Sequence, residues 1–199
     1  MENKDLEDGR GSGCLIMVVG PSGVGKDTLM LAAKTLLQHE SNISFPHRLI
    51  TRESDAQYED HGSITMAEFE ALCTEGLAPV YWQAHGHGYV IPQSVLDAVQ
   101  AGECCVMNGS RGALDQARVA FPRAYAVLID LDRRNLETRI SDRGREQGDE
   151  AKRRLDRKQP DLSGVKGVQR LVNNGTVEEG AHRLADLIKE CAEGRLPKL

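Results

Sequence analysis

Residues Gly20 to Thr28 read GPSGVGKDT. Directly before them stands CLIMVV (Cys14 to Val19), a short continuous apolar run. Such a run suits a strand buried on both faces of a parallel sheet. Directly after Lys26, DTLMLAAKTLLQHE carries apolar residues at Leu29, Met30, Ala33, Leu36 and Leu37, a helical spacing. Strand, glycine-rich loop and helix form the setting in which the pattern G-x-x-x-x-G-K-[ST] binds phosphate. The stretch departs from that pattern at one place: Asp27 stands where a hydroxyl is expected.

In such a loop successive backbone N–H groups wrap the phosphates, and glycines supply the required dihedrals. Gly20, Gly23 and Gly25 sit where this is needed, with Pro21, Ser22 and Val24 between them. Lys26 would reach the outer phosphates, and the helix beginning there adds its positive end. Asp27 has two readings. Its carboxylate suits magnesium, directly or through water, or it merely complements the helix dipole. Thr28 offers a hydroxyl one position late, but each helical residue turns about 100°, so it points elsewhere.

The chain has 199 residues, which fits one domain with a full core. Its formal net charge of -5 gives no basic footprint for nucleic acid. Five scattered cysteines without a C-x-x-C pair argue against a zinc or disulfide scaffold and for reduced thiols in the cytoplasm. No apolar run reaches the length of a membrane span. The first 12 residues, charged and glycine-rich, read as a disordered tail without a signal-peptide core.

Further along, HRLITR (His47 to Arg52) reads as a second strand, and TMAEFEALCTEG as a short helix with a capping box from Thr65 to Glu68. APVYWQAHGHGYVIP (Ala78 to Pro92) reads as two strands around a glycine turn. QSVLDAVQAG reads as a helix, ECCVMN (Glu103 to Asn108) as a buried strand, RGALDQARVAF as a helix and AYAVLIDL (Ala124 to Leu131) as another buried strand. The charge-rich stretch from Arg133 to Lys158 reads as helical, VQRLVNNG as a last strand and TVEEGAHRLADLIKECAEG as a closing amphipathic helix. Alternating strands and helices imply an α/β fold on a parallel sheet.

The loop GPSGVGK resembles that of guanylate kinases. The likeness extends to the ribose 1,5-bisphosphate phosphokinases of phosphonate breakdown. It rests on GPSGVGKD, ITR (Ile50 to Arg52), Glu59 and His61, W-x-A-H-G (Trp82 to Gly86), NGSR (Asn108 to Arg111) and RGRE (Arg143 to Glu146). These elements occur in the expected order across nearly all of the chain beyond the tail. The resemblance implies a P-loop, guanylate-kinase-like α/β domain over residues 13–195, with an acceptor lobe at about 46–92 and a lid at about 139–158. It implies ATP and Mg²⁺ as cofactors and phosphorylation of ribose 1,5-bisphosphate to 5-phosphoribosyl 1-diphosphate. The expected partner is thus a small sugar phosphate, with no nucleic acid and no membrane; a homodimer is compatible with this. A guanylate kinase is the alternative activity. A non-catalytic guanylate-kinase-like binding module is a third, disfavoured by the presence of Lys26.

Arg52 is the first candidate for the acceptor phosphate, at the end of an expected strand. Guanylate kinases carry a second arginine three residues on; here Asp55 stands there, against a guanylate acceptor. Arg111 can fork onto phosphate. Asn108 and Ser110 either bind ribose or water on magnesium, or cap the next helix. His85 and His87 fall on one face of the expected strand; without a third ligand at a telling spacing they read as hairpin residues, not as a metal site. In the family picture Trp82, His85 and Tyr89 line the sugar pocket, and Glu59 and His61 contact sugar hydroxyls. Val90 stands where the family tends to carry glycine. Arg143 and Arg145, with Arg139 behind them, resemble lid arginines that stabilise the transferred phosphoryl group. VNNGT (Val172 to Thr176), with Asn173, resembles a stretch that contacts adenine, and is equally a plain turn.

Overall fold

The computed structural model describes residues 13–21, 23–52, 62–132, 162, 165 and 167–199. Ser22, Asp55, Glu59, His61, Arg139, Arg143 and Arg145, the tail and the lid segment lie outside the described residues.

A five-stranded parallel sheet forms the centre, in the order β2-β7-β1-β8-β9. Its strands are β1 (Cys14–Val19), β2 (Ile43–Ser44), β7 (Cys104–Asn108), β8 (Ala124–Asp130) and β9 (Val168–Val172). Every residue of β1 is buried, and the reason is its central place. Cys14, Ile16 and Val18 point to one face and pack with Leu29, Ala33 and Leu37 of α1 (Lys26–Leu36) and its C-cap, and with Leu184 and Ile188 of α5 (Val177–Ala192). Leu15, Met17 and Val19 point to the other face, among Val95 and Val99 of α3 (Gln93–Gln100) and Leu114 and Ala117 of α4 (Leu114–Ala120). With helices on both faces, no position of the strand can be polar. All five cysteines are free thiols.

A second, four-stranded sheet runs β4-β3-β6-β5, from β4 (Gly62–Ser63), β3 (Leu49–Ile50), β6 (His87–Ile91) and β5 (Val80–Ala84). Helix α2 (Met66–Thr74) covers it through Phe69, which packs with Ala78 and Val90. The expected capping box is present: Glu68 N–H donates to Thr65 Oγ1 at 3.1 Å and Thr65 N–H to Glu68 Oε2 at 2.6 Å. Those bonds hold the Glu68 carboxyl below the usual carboxylate range. Val90 lies in this small core, fully buried, in a regular hairpin ladder.

Three expectations change. HRLITR forms a strand only at Leu49–Ile50, in the small sheet. The ladder ends at Thr51, whose Oγ1 accepts from Gly88 N–H at 2.8 Å. Strand β2, at the edge of the parallel sheet, is Ile43–Ser44. RGALDQARVAF opens with a 3₁₀ turn, Arg111–Ala113, before α4. His85 lies in the hairpin turn at φ 54° beside Gly86 at φ 79°, so it shares no strand face with His87. Positive φ at both central residues is the turn that matches strand twist in a two-residue hairpin.

Candidate active site

Three glycines bend the chain between β1 and α1. Gly20 has φ 152°, and a Cβ there would lie 2.3 Å from the Ile129 carbonyl oxygen of β8. Gly25 is the N-cap of α1 in the left-handed region, at φ 91°. Lys26 curls back into the loop it follows, donating to the carbonyls of Gly20 at 2.9 Å and Pro21 at 2.8 Å. Burial pushes its pKa down to about 8; Asp27 opposes this, and Arg48 and Arg111 add to it. An ammonium so placed, with two guanidiniums near, is a receptor for concentrated negative charge.

The loop is braced from β9. Asn173 is buried, 3% exposed, and its Nδ2 donates to the Val24 carbonyl at 2.8 Å. Its backbone N–H donates to Asp130 at 2.8 Å. Asn174 Nδ2 donates to Asp132 at 2.6 Å. Both side-chain amides therefore hold strand ends and the loop. Beside them is a cleft of about 380 Å³ lined by Asn173, Asn174, Gly175, Glu179 and Arg183, among others.

Asp27 lies in the first turn of α1, facing β7. Asn108, the last residue of β7, donates from Nδ2 to Asp27 Oδ1 at 2.6 Å. Thr28, about 100° further round the helix, is exposed. Ser110 takes the capping role: its Oγ accepts from Gly112 N–H at 3.3 Å. Arg111 follows in the 3₁₀ turn; burial lowers its pKa and the charge of Asp130 opposes that.

Arg48, which belongs to none of the sequence motifs, joins the two sheets. Its Nη1 donates to the Asn108 carbonyl at 3.4 Å, and its guanidinium lies 5.2 Å from the centre of the Tyr89 ring. Tyr89 also stacks on Trp82, with centroids 5.1 Å apart and planes 1° from parallel. Burial lowers the Arg48 pKa; Tyr89 and Asp27 oppose this, and Arg52 adds to it. The side chains thus brought together are Lys26, Asp27, Arg48, Asn108 and Arg111, with Arg52 and the Trp82–Tyr89 pair adjoining. Arg52 itself is exposed. His85 sits at the hairpin tip, three residues beyond Trp82 and past the last paired position. No spacing in the sequence marks Arg48, because β3 is only Leu49–Ile50 and places Arg48 and Arg52 on no common strand face.

The parallel sheet, the phosphate-type loop and the cation cluster define a P-loop kinase fold of the guanylate-kinase-like class. The fold is similar to that of guanylate kinase from Anaplasma phagocytophilum, with TM-score 0.65 and 18% identity over 90% of this chain and 86% of that one. It also resembles a gluconokinase from Sinorhizobium meliloti 1021, with TM-score 0.54 and 17% identity over 94% and 97% of the two chains. No family model matches the chain. In sequence it is 39% identical over 176 residues to a ribose 1,5-bisphosphate phosphokinase of Desulfomicrobium baculatum, covering 88% of this chain and 94% of that protein. It is 38% identical over 183 residues to the corresponding protein of Agrobacterium fabrum, covering 92% and 100%. A bifunctional ribose 1,5-bisphosphokinase-thymidine phosphorylase of Cupriavidus pinatubonensis matches at 36% over 94% of this chain, which is 31% of that longer protein. The chain belongs to the ribose 1,5-bisphosphate phosphokinase family.

Proposed function

We propose that the protein transfers the terminal phosphoryl group of ATP to ribose 1,5-bisphosphate, giving 5-phosphoribosyl 1-diphosphate and ADP. What supports this is membership of the ribose 1,5-bisphosphate phosphokinase family over most of the chain, and the cations Lys26, Arg48 and Arg111 beside the loop suit so highly charged an acceptor. The acceptor is a phosphate oxygen, already mostly ionised at neutral pH because its second pKa is about 6. It needs no strong base. Catalysis is then positioning and neutralisation of charge. Loop amides and Lys26 hold the donor phosphates. Arg48 and Arg52 hold the acceptor phosphates, with Arg111 between donor and acceptor. Trp82 and Tyr89 offer a flat wall for the sugar. From family resemblance, Glu59 and His61 bind sugar hydroxyls, and Arg143 and Arg145 close over the transferred group. Adenine is assigned to the cleft beside Asn173, whose own amide supports the loop.

The residues fit a magnesium ion: Asp27 supplies a carboxylate and Asn108 an amide oxygen beside the loop, and this hard cation needs few protein ligands when phosphates supply the rest. Bound there, it neutralises charge on the outer phosphates. Among the described residues no helix is long and apolar enough to cross a membrane. The reading places the enzyme in the cytoplasm and calls for neither nucleic acid nor membrane; a homodimer is compatible with it.

The test offers ATP–Mg²⁺ with ribose 1,5-bisphosphate and with GMP in separate reactions and follows ADP. Release with the sugar bisphosphate alone is expected. Release with GMP alone would overturn the acceptor assignment and leave a nucleotide kinase.

A further inference from the structure

In P-loop proteins the metal is held from two sides. A hydroxyl follows the loop lysine, and a carboxylate comes from elsewhere in the core. Here the residue after Lys26 is the acid, Asp27, and the neutral side chain is Asn108. Asn108 ends β7, the strand next to β1, and stands level with Val18, two residues before the loop begins at Gly20. The two side chains touch at 2.6 Å. We infer that Asp27 and Asn108 are an exchanged metal dyad: the carboxylate has moved from the strand to the helix, and the neutral oxygen ligand from the helix to the strand.

The exchange keeps one negative charge between the two positions. An acid at both would place two carboxylates against each other and against the donor phosphates. A neutral residue at both would leave no anionic ligand there. The contact also fixes orientation. With Nδ2 of Asn108 turned toward Asp27, its Oδ1 is the atom left to accept a cation or a cation's water. Asn108 is therefore a metal-side residue rather than a sugar ligand or helix cap, and Ser110 does the capping.

This inference rests on the nucleotide site proposed above, and its test separates the two. Binding of the β,γ-imido analogue of ATP is measured by calorimetry with and without Mg²⁺, for wild type, D27T, N108D and the double variant D27T/N108D. Thermal unfolding of each checks that it folds. The factor by which Mg²⁺ strengthens binding is the readout. It should fall about tenfold or more in D27T and return in D27T/N108D, which restores the usual arrangement. In N108D the factor should rise, because paired carboxylates weaken binding without metal and strengthen it with metal. A double variant no better than D27T, or a D27T protein with the wild-type factor, would overturn the exchange while leaving the nucleotide site standing. A wild type that does not bind the analogue would overturn both.

Discussion

Lys26 should cost the free protein stability. Its pKa falls from 10.5 to about 8, chiefly through burial. At neutral pH that drop corresponds to about 3 kcal/mol of disfavoured ammonium. Lys26→Met removes the charge but also two hydrogen bonds, to Gly20 and Pro21, worth about 1 kcal/mol each. The difference leaves the variant about 1 kcal/mol more stable at pH 7. In a chain of this size that raises Tm by about 2–4 °C. The sign with pH follows from linkage. Because the folded pKa is the lower one, the unfolded state holds more protons between about pH 8 and 10.5. Wild-type stability therefore gains on the variant as pH rises through that window. The assay is thermal unfolding of both proteins at pH 7 and pH 10, without nucleotide. Other groups titrate alike in both, so the difference isolates Lys26. A variant less stable than wild type at pH 7, or a difference that does not change by pH 10, would refute the reasoning. Lys26→Ala should abolish phosphoryl transfer and leave the fold intact.

Arg48→Gln should lower kcat/KM for the sugar bisphosphate about 100-fold or more, because the proposed acceptor phosphate loses its guanidinium partner, with the affinity for the ATP analogue changed much less; steady-state kinetics and calorimetry separate these. Asn173→Ala leaves the Val24 carbonyl unpartnered, so it should cost about 1–3 kcal/mol in denaturant unfolding and weaken nucleotide binding with it. Gly20→Ala forces a methyl against the Ile129 carbonyl and should lower both Tm and nucleotide affinity. Each is read against wild type, and an unchanged value would contradict the assigned role.

The parallel sheet was legible because β1 is buried on both faces and so is apolar at every position. The loop was legible because its chemistry fixes residue types at fixed offsets. Thr65 and Glu68 were readable as a box for the same reason, and Thr176 with Glu179 form a second one by the same spacing. Strands β2, β3 and β4 have two residues each, too few for any period to register. Arg48 escaped because its partners, Tyr89 and Asn108, come from distant segments. Asn173 could be assigned to a turn or to adenine from its neighbours, but not to the Val24 carbonyl, since that contact depends on how β9 sits beside the loop. Alternation alone places His85 on a strand, whereas the short turn requires residues at positive φ and takes His85 and Gly86.

The most direct measurement follows the phosphorus atoms themselves. Wild-type protein is incubated with ATP, Mg²⁺ and ribose 1,5-bisphosphate, and the mixture is read by ³¹P NMR. The account predicts loss of the acceptor's 1-phosphate signal and growth of a coupled pair of diphosphate resonances on the sugar, matched by ADP. ADP formation without that pair, or no consumption of the sugar bisphosphate, would contradict it.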